Sequence, residues 1–153
     1  MPSAWRIVKA SHAARAFTGD GAWHTGGRWN SPGVSLVYTS EHKSLAVLEI
    51  LVHLDPQDAL HHVTFQIEFD EALVERLPRE HLPAGWREEM PARAARDLGN
   101  TWVREKRSAV LAVPSVIIPE ELNFLLNPAH PDFKKIRVGK PQPFTFDPRL
   151  VTG

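Results

Sequence analysis

From residue 62 to 69 the chain alternates strictly: Val63, Phe65, Ile67 and Phe69 are apolar, while Thr64, Gln66 and Glu68 between them are polar. Successive side chains of an extended strand point to opposite faces, so this period of two demands a β-strand with one face buried and one face wet. A lone strand cannot bury that face, and the chain must supply further strands and a layer to cover them. Residues 5–9 carry β-branched Ile7 and Val8, and residues 35–39 run through Leu36, Val37 and Tyr38. Residues 108–113 and 116–118 form two apolar runs hinged at Pro114-Ser115. Weaker strand candidates lie at 135–138 and 144–146.

Two segments have helical spacing instead. Between 41 and 54, Leu45, Leu48 and Val52 recur every three or four residues, as do Val47, Leu51 and Leu54. Ser40 offers an N-cap, Glu41 a first-turn acid, and Asp55-Pro56 a stop, which predicts a helix buried on most sides. A second helix is expected from Pro91, a residue suited to a first helical position, to about Arg107, weakened at Gly99. Strands outnumber helices, and 153 residues suit one core. The expectation is a single α+β domain over residues 1–153, with a mixed or antiparallel sheet flanked by two or three helices.

Lys plus Arg and Asp plus Glu both number 18, so the net charge is zero and bulk attraction to nucleic acid or anionic lipid loses its support. The charge is nevertheless uneven. Residues 1–40 hold four basic and one acidic side chain, residues 41–90 four and eleven, residues 91–153 ten and six. Alternating solvated faces would produce this, as would a basic pocket with an acidic outer surface. The one basic stretch, with Arg93, Arg96, Arg104, Lys106 and Arg107, is diluted by Asp97 and Glu105 and reads as a solvated helix face, so no direct nucleic-acid binding is expected. Without cysteine there are no disulfides, thiolate zinc sites or cysteine nucleophiles. The N-terminus has no apolar signal core, and no run approaches the ~18 apolar residues of a membrane span; a cytoplasmic address, with no membrane association, is expected.

Residues 19–33 are too polar and glycine-rich for a helix and read as a long loop, of the kind that in compact domains is usually functional or disordered. The stretch matches neither common nucleotide signature: Gly-Lys-Ser/Thr occurs nowhere, and His24 stands where a dinucleotide motif needs its third glycine. Glu49 and His53 make only one carboxylate and imidazole at i, i+4, and His61-His62 would diverge on a strand, so no protein-bound metal is expected. There is no Gly-x-Ser-x-Gly elbow. An RNA-cutting enzyme would want a histidine pair, or a histidine with lysine or arginine, near a basic groove, and the histidines here are scattered.

What survives is the segment from Gly26 to Gly33, in which Gly27, Arg28, Trp29 and Asn30 stand between glycines. Glycine lets backbone approach a ligand, and a guanidinium holds phosphate or carboxylate in a fork. Trp29 could stack on a planar ring or fill core; a turn with a salt-bridged arginine is the structural alternative. Tyr38 could lend a ring face and a hydroxyl, or be an ordinary strand tyrosine. Glu49 sits between Leu48 and Ile50 in the most apolar helix, where an unpaired charge is costly, so it either pairs with Arg28 or faces a cleft and acts on a ligand. Ser115, between two apolar runs, could equally be bonded to backbone.

Taken together these blocks resemble the RES domain family, named for an arginine, a glutamate and a serine, whose members are toxins of bacterial type II toxin-antitoxin pairs. The resemblance is carried by Trp5-Arg6-Ile7, the run from Phe17 to Ala22, the run from Gly26 to Gly33, and Val37-Tyr38-Thr39-Ser40. The run from Ala46 to His53, Val113-Pro114-Ser115 and the run from Asn123 to Pro128 complete it. It implies a fold similar to diphtheria-toxin-like ADP-ribosyltransferases. It also implies an activity that cleaves the nicotinamide-ribose bond of NAD as a phosphorylase or glycohydrolase, depleting NAD and arresting growth. Modification of a protein target, or a silent antitoxin-binding module, are the alternatives.

The resemblance makes Arg28, Tyr38, Glu49 and Ser115 the catalytic set, with Gly27, Trp29, Asn30, Ser40, His53 and Asn127 as further pocket residues. In it Glu49 stabilises an oxocarbenium-like state and grips a ribose hydroxyl, Arg28 binds the pyrophosphate or polarises the nicotinamide-ribose region, Tyr38 stacks on nicotinamide, and Ser115 bonds substrate or orients Glu49. No cofactor or metal is implied, since NAD is the substrate and inorganic phosphate a possible second one. The implied partner is an Xre-family DNA-binding antitoxin that blocks the active site. Apolar stretches near Ile117 and Leu125 would allow a homodimer.

Overall fold

The computed structural model describes residues 1–151. Its centre is one mixed sheet. Strand β1 (Ser3–Lys9) pairs antiparallel with both β2 (Val37–Ser40) and β3 (His62–Glu68). Strands β4 (Val74–Arg76), β5 (Val110–Pro114) and β6 (Leu122–Leu126) extend the sheet beyond β2. The short β7 (Arg137–Val138) and β8 (Gln142–Phe144) both pair with β3 at the far edge. Among the described residues only the β4–β5 pair is parallel. Three α-helices flank the sheet among the described residues: α1 (Asp20–Thr25), α2 (Lys43–Leu51) and α3 (Arg93–Glu105). The expected α+β architecture is the observed one, and no described helix is long and apolar enough to cross a membrane.

Burial follows the pleat. Along β5, Val110 and Ala112 join the core on one face with Phe69 and Phe124, while Leu111 and Val113 join the other with Trp102 and Leu125. Strand β3 buries Phe65 and Ile67 and exposes Gln66 and Glu68, as its alternation requires. Its other face is not wet throughout, because Phe146 lies edge-on to His62 and packs with Ile7 and Ala46, burying His62 and Thr64 as well.

Several local expectations fail for identifiable reasons. Residues 19–33 are not loop throughout: α1 forms inside them, and Gly19 and Gly26 flank it as caps with left-handed φ of 79° and 70°. Helix α2 begins at Lys43 rather than Glu41. Ser40 does not cap it; that hydroxyl lies in β2 and donates to Asn123 Oδ1, while Glu41 Oε1 accepts from the Leu122 amide. The helix is also less buried than its composition suggests: it packs on β1 and β2 with Leu45 and Ala46 buried, leaving Leu48 36% exposed and Val52, just past its end, 59% exposed.

Pro91 precedes the second long helix instead of starting it, and Lys106 ends it in a left-handed turn. Residues 116–118 are a bend rather than a strand, because Ser115 Oγ accepts the Ile117 and Ile118 amides at 3.0 and 3.1 Å and turns the chain back. The sequence does not reveal the short β4, nor β6, whose Phe124-Leu125-Leu126 run shows no alternation because both faces are covered. Gly99 does not merely weaken α3. A Cβ there would overlap the Trp29 carbonyl, so glycine is what lets the helix lie against the Gly27–Asn30 turn.

Candidate active site

The register of the sheet assembles the site. Asn123 of β6 lies opposite Ser40 of β2 on one side and Val113 of β5 on the other, two residues before Ser115. Helix α2, packed over β1 and β2, brings Glu49 to the same place. Glu49 Oε1 accepts from Ser115 Oγ at 2.7 Å and from Asn123 Nδ2 at 3.1 Å. Ser40 Oγ donates to Asn123 Oδ1 at 2.8 Å, which turns the Asn123 amide so that its nitrogen faces the carboxylate. One carboxylate oxygen is thereby held, while Oε2 has no protein hydrogen bond among the described residues. The half-buried Glu49 thus presents an acceptor on a fixed stem.

Glu49 lines a cleft of about 820 Å³ together with Arg6, Gly27, Arg28, Tyr38 and Arg96. Arg28 does not pair with Glu49. Its Nη1 donates to the carbonyls of Trp86 (3.0 Å) and Glu88 (2.7 Å) and its Nη2 to that of Glu89 (3.4 Å), which draws the 86–89 segment to the cleft mouth. Burial pulls the Arg28 pKa below its ordinary value, and the nearby Glu49 charge opposes that shift. The Tyr38 hydroxyl is fully employed: it donates to Asn30 Oδ1 at 2.6 Å and accepts from the Trp29 amide at 3.1 Å. Burial pushes its pKa above the ordinary phenol value, so it stays neutral, and its ring is the part left for a ligand.

Of the residues singled out in the sequence, Gly27, Arg28, Tyr38, Ser40, Glu49 and His53 line the cleft, and His53 also borders a second, smaller cavity. Four others lie behind the wall. Trp29 is core, packed with Leu36, Trp102 and Leu111. Asn30 is fully buried and donates to the carbonyls of Ala22 and Val34, clamping the turn. Ser115 is fully buried and acts on Glu49. Asn127 ties the end of β6 to the Val103 carbonyl, away from the cleft. Gly27 serves packing, since a Cβ there would strike the Tyr38 hydroxyl and Asn30 Oδ1.

Three cleft residues escape the sequence reading. Asn123 stood inside an apolar run, and Arg96 was hidden among helix charges that read as solvated. Arg6 sits in β1 with Nε donating to the Ala16 carbonyl (2.7 Å) and Nη1 to the Tyr38 carbonyl (2.9 Å). No carboxylate among the described residues pairs with it, and burial pushes its pKa down to about 10. An arginine between Trp5 and Ile7 in a strand was the available signal. Among the described residues no three His, Asp or Glu side chains converge as a metal centre would need.

Comparison bears out the resemblance to the RES domain family. The family model described as RES domain matches residues 3–147. This chain belongs to the RES domain family. It is 42% identical to the "Prs ADP-ribosylating toxin" of Sphingobium sp. (strain YBL2), over 97% of this chain and 96% of that one. It is 38% identical to "Toxin Res" of Yersinia enterocolitica, over 95% of this chain and 97% of that one. Among solved structures, a chain of the M. tuberculosis MbcT-MbcA toxin-antitoxin complex superposes with a TM-score of 0.75, covering 97% of this chain and 86% of that one. At 16% identity this is a likeness of fold.

Proposed function

We propose that this chain is the toxin of a toxin-antitoxin pair and that it consumes NAD by cleaving the nicotinamide-ribose bond. The observation that carries the reading is Glu49, an anion fixed on one oxygen by Ser115 and Asn123 with the other open to an arginine-lined cleft. In such a cleavage the C–N bonding pair leaves with nicotinamide, neutralising the pyridinium and leaving positive charge on the ribose. A carboxylate positioned in advance stabilises that charge without reorganising, and its free oxygen accepts a ribose hydroxyl proton as a hydrogen bond. The acceptor, phosphate or water, then bonds to the ribose carbon and gives up its proton. Tyr38 offers its ring to nicotinamide, and the arginines offer charge to the pyrophosphate.

The name of the Sphingobium relative favours a second reading on the same cleft, transfer of ADP-ribose to a protein side chain. An antitoxin, of Xre type by the family resemblance, would cover the cleft, in keeping with the toxin-antitoxin complex whose fold this chain shares.

The test is nicotinamide release from NAD by the purified chain, with and without phosphate. Phosphate-dependent turnover identifies a phosphorylase and phosphate-independent turnover a glycohydrolase. Glu49→Gln should abolish either while the melting temperature holds, and full turnover by that variant sinks the assignment.

A further inference from the structure

The three guanidinium groups of the cleft differ in how many donors the fold leaves open. Arg28 commits both terminal nitrogens to the carbonyls of residues 86–89. Arg6 commits Nε and one terminal nitrogen. Arg96 commits only Nε, to the Gly27 carbonyl at 3.0 Å, and both its terminal nitrogens are free of protein partners among the described residues. The nearest turn of α3 forms its ion pair elsewhere, between Arg93 and Asp97. Arg96 is half-buried, lines the cleft with Glu49, and its charge reaches the Tyr38 hydroxyl.

A guanidinium pinned at Nε has its plane set, and its two terminal N–H groups form the fork that takes two oxygens of one phosphate. For Arg28 to do the same it would first have to release its backbone carbonyls, a loss Arg96 does not incur. We propose that Arg96 is a substrate-binding residue that holds a phosphate oxyanion in this cleft, with the Gly27 carbonyl as the stop that orients it. The inference rests on the NAD-cleaving reading for its substrate. The oxyanion belongs either to the pyrophosphate of the dinucleotide or to a free phosphate acting as acceptor.

The experiment compares wild type, Arg96→Gln and Arg96→Lys on NAD and on nicotinamide riboside, which has the same glycosidic bond and no phosphate, while phosphate is varied. Arg96→Gln should raise one KM by about 10- to 100-fold, the loss of a charge-assisted fork, with kcat little changed. Arg96→Lys should recover part of it, and nicotinamide riboside turnover should stay as in wild type when phosphate saturates. A raised KM for NAD assigns the fork to the pyrophosphate, and a raised KM for phosphate assigns it to the acceptor. Equal losses on both donors through kcat would mean that Arg96 only props the Gly27 turn, and unchanged KM values would mean that it touches no anion; either overturns the proposal. Calorimetric binding of ADP-ribose separates this from the reaction itself. If NAD is not consumed yet ADP-ribose binds wild type and not Arg96→Gln, the anion site stands and the reaction reading falls. Equal binding by both proteins of ADP-ribose and of inorganic phosphate alike, or binding of neither by wild type, overturns Arg96.

Discussion

Replacing Ser115 by alanine removes a hydroxyl that makes three hydrogen bonds: one donated to Glu49 at 2.7 Å, and two accepted from the Ile117 and Ile118 amides at 3.0 and 3.1 Å. The first is charge-assisted and worth about 1.5–3 kcal/mol. The two amides lie on a half-buried bend that water can reach, so each costs less than the ~1–3 kcal/mol of a fully buried orphan. Together a loss of about 2–4 kcal/mol is expected, against a typical domain stability of about 5–15 kcal/mol, so the variant should fold. Its chemistry should suffer more selectively. Glu49 keeps the 3.1 Å bond from Asn123 but loses the shorter restraint, and its carboxylate is then free to leave the orientation that faces the ribose. At 1.4 kcal/mol per decade, kcat should fall about 10- to 100-fold. KM should barely move, because the fully buried Ser115 is not on the cleft wall. Urea denaturation measures the first quantity and nicotinamide release the second. A Ser115→Ala protein with kcat near wild type would refute the claim that this hydroxyl aims Glu49.

Two further outcomes follow from the packing and from one buried base. Gly99→Ala should destabilise by about 3 kcal/mol or more, despite the better helix propensity of alanine, because its Cβ must push α3 away from the Trp29 carbonyl. A melting temperature equal to or above wild type would show that the close approach is not constraining. His62 is buried against Phe146 with no hydrogen-bond partner for Nδ1 among the described residues, and burial holds its pKa below the ordinary value. The unfolded chain therefore binds more protons. Stability from this group is intact above about pH 6.5 and is lost as pH falls below that toward the folded pKa. His62→Gln should flatten the fall in urea midpoint between neutral and mildly acidic pH, and parallel curves for the two proteins would contradict it.

Local pattern found the strands whose two faces differ. Strand β3 is where periodicity placed it because one face buries Phe65 and Ile67 while the other exposes Gln66 and Glu68, whereas β1 was legible from its β-branched Ile7 and Val8. Strand β6 and the outer face of α2 were misread for opposite reasons. Both faces of β6 are covered, which erases its alternation, while Leu48 of α2 and Val52 just past its end are apolar residues left partly exposed. Trp29 shows the same limit at the site, since an aromatic among glycines fits a stacking platform and a core anchor equally, and only the neighbourhood of Trp102 and Leu111 decides between them.

The amino-acid order by itself determined the α+β class, the glycine-bracketed Arg28 segment, and the chemical tension of a carboxylate in an apolar helix at Glu49. It could not say how that tension is relieved. The partners of Glu49 are Ser115 and Asn123, distant in the chain and brought together only because β6 lies between β2 and β5. Tertiary structure also decided that Arg28 is spent on backbone carbonyls while Arg96 keeps its fork open. Periodicity reports which face of its own segment meets water, whereas a hydrogen bond across the sheet depends on strand order and register, which no single segment encodes.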